Sequence, residues 1–145
     1  MLSKKAKYAI KALVYLAKSE KEGPVLISDI AKGETIPQKF LEFILVVLKN
    51  QGLLHSQRGK NGGYQLAKPA SEITVGKIVR IIDGPLAPIN CVSVTAYQRC
   101  SDCKDEDACE LHFVMQHVRD AIAQILDNTT LEDAINQKLP KGVIL

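Results

Sequence analysis

Apolar residues in the first fifty positions recur at helical spacing, and glycine and proline cut them into three runs. The first run covers residues 3–18. Ala6, Ile10, Leu13, Val14 and Ala17 recur on one face, while Lys4, Lys5, Lys7 and Lys11 fall mostly elsewhere. Ser3 is placed to cap its start. "EKEGP" ends it, with Gly23 and Pro24 as stop signals. "LISDIAKG" predicts a short helix with Leu26, Ile30 and Ala31 inward and Gly33 at its end. "TIPQKFLEFILVVLKNQG" predicts a third helix. Pro37 suits its first position, Phe40, Leu41, Ile44, Leu45 and Leu48 form the stripe, and Gly52 closes it. Two short helices about four residues apart, with glycine at the turn, have the helix-turn-helix arrangement.

After Gly52 the period changes. "LLHSQ" and "YQLAK" are short and partly alternating, so each reads as a strand. Between them "RGKNGG" offers Arg58 and Lys60 on a tip made flexible by Gly59, Gly62 and Gly63. A helix-turn-helix followed at once by a hairpin predicts a winged helix. In that arrangement the second helix enters the major groove and the hairpin reaches the neighbouring backbone or minor groove. "PASEITVGKIVRIIDG" predicts a further helix capped by Thr74, with Val75, Ile78, Val79 and Ile82 inward and Gly84-Pro85 as the stop. A long helix is expected from about Asp105 to about Asp127. Its wide apolar face comprises Leu111, Val114, Met115, Val118, Ala121, Ile122, Ile125 and Leu126. That face is too long for one small winged helix to cover, which implies a twin. "TTLEDAI" opens a last short helix with Thr130 and Asp133 as a capping-box pair, and a loose tail is expected from Pro140. The predicted fold class is therefore mainly α with a small β-hairpin: a winged helix-turn-helix over 1–84, a cysteine-rich sensor loop over 85–110, and a dimerisation helix with a short terminal helix over 105–135.

Charge sharpens this picture. Residues 1–68 carry twelve Lys/Arg against five Asp/Glu, and residues 69–145 carry seven against eleven. A basic first half and an acidic second half point to a polyanion partner for the first half only. No apolar run approaches the roughly 20 residues of a membrane span. The basic, amphipathic N-terminus lacks the pattern of a signal peptide, so a cytoplasmic location is expected.

All four cysteines fall between residues 91 and 109, in the pattern C-x8-C-x2-C-x5-C-x2-H that ends at His112. A disulfide set is disfavoured in the cytoplasm. Zinc held by Cys100, Cys103, Cys109 and either Cys91 or His112 is one reading. An iron–sulfur cluster uses the same thiolates, and spacing alone does not choose. Asp102, Asp105, Glu106, Asp107 and Glu110 raise the cost of further anionic thiolates, and a bound cation offsets it. His55 and His117 have no partner pattern and read as surface residues. Neither a Ser/His/Asp pattern nor a phosphate loop occurs, so no enzyme is expected.

"KYAIKAL", "IPQKFLEFIL", "QRGKNGGYQLAKPASEITVGKIVRIIDG" and the cysteine tail together resemble the Rrf-two-type winged-helix regulators, the family of IscR, NsrR and CymR. The resemblance covers residues 1 to about 135. It implies a homodimeric transcription factor on double-stranded DNA. Gln38, Lys39 and Glu42 would lie near base edges, Arg58 in the minor groove, and Gly59, Lys60, Asn61 and Gly62 beside it at the wing. Lys39 and Phe43 depart from the IscR residues at those places, so the operator does not carry over. The resemblance also implies an iron–sulfur cluster, 2Fe-2S rather than 4Fe-4S, on Cys91, Cys103, Cys109 and His112, with Cys100 as the alternative fourth ligand. The aspartate ligand of NsrR is replaced by Lys7. The alternatives are a cluster-free regulator with a zinc site or thiol switch, and a winged-helix module that binds protein instead of DNA.

Overall fold

The computed structural model describes residues 2–19 and 23–143. Six helices and one hairpin follow in order: α1 (Lys4–Lys18), α2 (Ile27–Glu34), α3 (Gln38–Asn50), β1 (Leu54–Gln57), β2 (Gly63–Leu66), α4 (Val75–Asp83), α5 (Glu110–Asp127) and α6 (Leu131–Ile135). Short 3-10 turns occupy Ala70–Glu72 and Asn90–Val92. Glu20–Glu22 of the "EKEGP" break and the last two residues of the tail lie outside the described residues.

Ser3 caps α1 as expected, its side chain accepting from the Ala6 amide. The buried face is rotated from the expected one: Ala6, Ala9, Ala12, Leu13 and Leu16 are inside, and Ile10 and Val14 are half-buried at its edge. Small alanines let α2, α3, α4 and α6 approach α1 together, because a close-packed interior leaves no room for four long side chains there.

Four local readings need correction. α2 runs through Gly33 to Glu34, and Thr35 closes it in the left-handed conformation (φ 55°). Gly33 serves packing and does not end the helix. A Cβ there would sit 2.4 Å from the Tyr15 ring, so α2 lies hard against α1. Leu26 is the residue before α2 and is 47% exposed, and Phe40 is 41% exposed. Leu26 sits ahead of the first turn of α2, off its buried face of Ile30 and Ala31, and Phe40 looks outward because the stripe of α3 is limited to Leu41, Ile44, Leu45 and Leu48. Pro37 caps α3 without entering it.

The hairpin is antiparallel, with Leu54 opposite Leu66 and Gln57 opposite Gly63. Val25 and Tyr64 add reciprocal backbone hydrogen bonds of 2.8 Å, which pin the wing to the segment before α2. Gly63 permits this: its φ is 142° and a Cβ would lie 2.2 Å from the Val25 carbonyl oxygen. Thr74 caps α4 as expected, through the Lys77 amide.

The long helix starts at Glu110, not near Asp105. Residues 105–109 are turns, with the Asp107 amide donating to the Asp105 carboxylate and the Cys109 amide donating to the Glu106 carbonyl. Cys109 is the cap, its sulfur 3.4 Å from the His112 amide. α5 leaves the body and α6 returns to it. The Thr130–Asp133 capping box is present, and the Leu131 side chain is fully buried in the same core as α1 and α3. Backbone bonds from Val75 to Thr129 and from Leu131 to Ile73 seal the return.

Candidate functional site

One face of the molecule joins α3 to the wing. Gln38, Lys39 and Glu42 are exposed on the first turns of α3, and the Gln38 amide reaches the Glu42 carboxylate at 3.5 Å. Phe43 is 61% exposed on the same helix. α1 contributes to this face in a way that helix periodicity did not reveal. The Lys5 ammonium lies 4.6 Å from the centre of the Phe43 ring, a cation–π contact that fixes a positive charge beside α3.

The wing tip is built by its glycines. Gly59 has φ 105°, and the Gly62 amide donates to the Gly59 carbonyl. A Cβ on Gly62 would meet the Gln57 carbonyl oxygen at 2.3 Å. This tight turn leaves Arg58, Lys60 and Asn61 exposed. Neither Arg58 nor Lys60 is in an ion pair among the described residues. A groove of about 510 Å³ runs between the two elements, with Gln38 and Lys49 on one wall and Arg58 and Gly62 on the other. Such a groove offers cations and backbone amides to a phosphate chain.

The second constellation lies between the Cys91 turn and the start of α5. Cys91, Cys100, Cys103, Cys109 and His112 all line one cavity of about 360 Å³. The sequence-predicted donors all line this cavity, Cys100 included, but of them only Cys91 and His112 belong, with Glu106, to a group of three ligand atoms within 4.8 Å of one another among the described residues. All four thiols are free. Cys91 is buried, and burial, followed by its hydrogen bond with Cys100, pushes its thiol above the ordinary range.

One residue of this cavity, Glu106, stood in the sequence only as a member of the acidic run, and its partner Tyr97 was not singled out. Glu106 reaches into it, with one carboxylate oxygen 3.4 Å from His112 Nδ1 and the other accepting from the Tyr97 hydroxyl at 2.6 Å. That bond to Glu106 raises the Tyr97 pKa. His112 Nδ1 is buried and has no hydrogen-bond partner, because the Glu106 oxygen is near but misaligned. Within the acidic run of 102–110, position alone gave no sign that Glu106 differs from its neighbours. Soft sulfur and imidazole donors around one cavity form a set that a metal or an iron–sulfur cluster could use. His55 is exposed as expected, and His117 is exposed on α5, its ring contacting Phe113 at 4.5 Å.

The cavity is tied to α5 and to the winged helix. Arg119 of α5 donates to the Val92 carbonyl at 2.7 Å, next to Cys91. At the other end of α5, Asp127 pairs with Arg80 of α4. On the first half of α5, before Arg119, Leu111, Phe113, Val114 and Val118 are exposed. No helix among the described residues is long and apolar enough to cross a membrane.

The chain is similar to known proteins over its full length. The sequence pattern of the Rrf2 family, described as iron-dependent transcriptional regulators, matches residues 2–137. An rrf2-like regulator of the helix-turn-helix type from Rhodobacter capsulatus is 40% identical, covering 100% of this chain and 99% of that protein. The transcriptional regulator IscR of Pectobacterium carotovorum is 34% identical, covering 94% and 80%. The solved structure of CymR, the global cysteine regulator of B. subtilis, superposes with a TM-score of 0.79 at 33% identity, covering 95% of this chain and 98% of that one. The helix-turn-helix with its adjoining hairpin, and the agreement in both sequence and fold, establish that the chain belongs to the Rrf2 family of winged-helix, DNA-binding transcriptional regulators.

Proposed function

We propose that the protein is a cytoplasmic homodimeric repressor whose hold on DNA follows the state of an iron–sulfur cluster. The cluster ligands are Cys91, Cys103, Cys109 and His112, with Cys100 as the alternative fourth, and the type is 2Fe-2S in preference to 4Fe-4S. The observation that carries this reading is the convergence of all four cysteines and His112 on one cavity at the root of α5. When bound, the group supplies a redox-sensitive centre. The chain's own residues do the rest. Burial keeps Cys91 protonated until a cation takes its sulfur, and the Arg119–Val92 bond joins the Cys91 turn to α5.

Residues 1–84 form the DNA-binding unit, 85–110 the sensor loop and 105–135 the dimerisation segment with its terminal helix. Gln38, Lys39 and Glu42 face base edges in the major groove. Arg58, Gly59, Lys60, Asn61 and Gly62 meet the backbone and minor groove. The exposed apolar face of α5 packs against its twin, since monomers rarely leave so continuous an apolar strip in water. Two recognition helices on a two-fold axis must meet half-sites at a set separation, so a shift at the root of α5 alters both grips together.

Anaerobic purification tests the cofactor: a brown protein with iron and acid-labile sulfide is expected, and a colourless protein with stoichiometric zinc overturns the cluster. A gel shift on the gene's own upstream DNA, loaded against stripped protein, tests sensing. Equal affinities would end that part of the reading.

A further inference from the structure

The cavity contains a smaller grouping that does not follow the cysteine pattern. Ligand atoms of Cys91, Glu106 and His112 lie within 4.8 Å of one another. We propose that these three residues form a site for a single divalent cation of borderline hardness, such as Zn²⁺ or Fe²⁺, which needs neither Cys103 nor Cys109.

Geometry supports this. Carboxylate oxygen and imidazole nitrogen bind zinc at about 2.0–2.2 Å, so two such ligands on a tetrahedron stand roughly 3.3–3.5 Å apart. Glu106 Oε1 and His112 Nδ1 already stand at 3.4 Å. They do so without hydrogen-bond alignment, and Nδ1 is buried with no other partner. That spacing is the one two ligands of a single cation require. The Cys91 sulfur, within 4.8 Å of both, completes a mixed sulfur, nitrogen and oxygen set by a short approach, given a Zn–S bond of about 2.3 Å. Its thiol proton leaves to solvent as the sulfur–metal bond forms. Tyr97 fixes the far oxygen of Glu106 at 2.6 Å, which aims the near one. Solvent takes the fourth position.

This site shares Cys91 and His112 with the proposed cluster, so the two occupants exclude each other. The cation site does not depend on the cluster reading.

The test is Co²⁺ titration of the full chain under argon. Replacing Cys100, Cys103 and Cys109 with serine leaves Cys91 as the sole thiol, and this protein cannot hold a three-cysteine cluster. It is expected to take up one Co²⁺ with a sulfur-to-cobalt charge-transfer band, and Zn²⁺ is expected to displace it. Adding Glu106→Gln is expected to weaken binding at least about tenfold, with partial rescue by Glu106→Asp. Absence of the band in a folded triple variant, as the competing imidazolium–carboxylate pair requires, overturns the proposal. If the triple variant unfolds, Glu106→Gln in the otherwise native chain decides: unchanged Co²⁺ affinity overturns it, and a tenfold loss supports it.

Discussion

Asp127, in the last turn of α5, clamps both carboxylate oxygens onto the Arg80 guanidinium of α4, forty-seven positions earlier in the chain. The hydrogen bond to Asp127 raises the Arg80 pKa. Both side chains are about 40% exposed, so solvent screening holds the pair to about 1 kcal/mol or less. Gly76 makes room for it, since a Cβ there would lie 2.0 Å from the Asp127 carboxylate. Gly76→Ala on its own gains helix propensity of about 1 kcal/mol but displaces that carboxylate. In an Asp127→Ala background the carboxylate clash is gone, and the Arg80 guanidinium, whose Nη1 would stand 3.1 Å from the new Cβ, is free to swing away. Urea melts of the four-protein cycle are expected to show Gly76→Ala stabilising only when Asp127 is absent. Additivity would mean that the clamp has no energetic role.

Thr35 carries a strained conformation in the turn between α2 and α3. A β-branched residue in the left-handed region costs on the order of 1–3 kcal/mol. Thr35→Asn, which tolerates that region, is expected to raise stability by about 0.5–1 kcal/mol in a denaturant melt. A loss would indicate that the exposed hydroxyl makes a compensating contact.

The wing contributes through charge and through shape, and two variants separate them. Arg58→Ala is expected to weaken DNA binding and to flatten the plot of log affinity against log salt by about one unit per wing. Gly62→Ala keeps every cation but drives a methyl into the Gln57 carbonyl. It is expected to lower affinity with the salt slope unchanged. Wild-type binding by both proteins would exclude the hairpin from the interface.

Asp133 is held below the usual carboxylate range, first by its hydrogen bond from the Thr130 hydroxyl and then by the Thr130 amide. The unfolded chain binds a proton there more readily, so the capping box stabilises above the ordinary carboxylate pKa and fades as pH falls through the folded value. Melts of wild type and Asp133→Asn are expected to differ at pH 7 and to converge as pH falls below the ordinary carboxylate range. A constant gap would mean that the carboxylate's charge is irrelevant.

Val114 lies 49% exposed in the apolar strip of α5, outside the hydrophobic core, so a charge there leaves the core packing intact. Val114→Glu is expected to turn a dimer into a monomer by sedimentation with the helical signal intact. A monomeric wild-type protein, or a dimeric variant, would reject α5 as the seam.

The fold was legible where apolar period and punctuation agreed. Ser3, Thr74 and Thr130 announce their helices because a capping hydroxyl acts within three residues. Leu26 and Phe40 face outward against expectation because periodicity reports a face without its width. The start of α5 was placed early because the acidic run suits a helix terminus, whereas Cys109, a rare cap, sets the true boundary. The thiols stand out by their clustering alone. Glu106 does not, since its distinction is a bond to Tyr97 that exists only after the loop has folded.

The attachment of α5 determines how it can move. Its far end is held by Asp127, Thr129 and Leu131, and its near end rests on the cysteine cavity. Eighteen residues at 1.5 Å each make a lever about 27 Å long. With its fulcrum beside α4, a displacement of about 1 Å at the thiols becomes a tilt of roughly 2° along the whole rod. In the proposed homodimer, a helix fastened in this way would turn a local adjustment of sulfur positions into a change of angle between the two subunits.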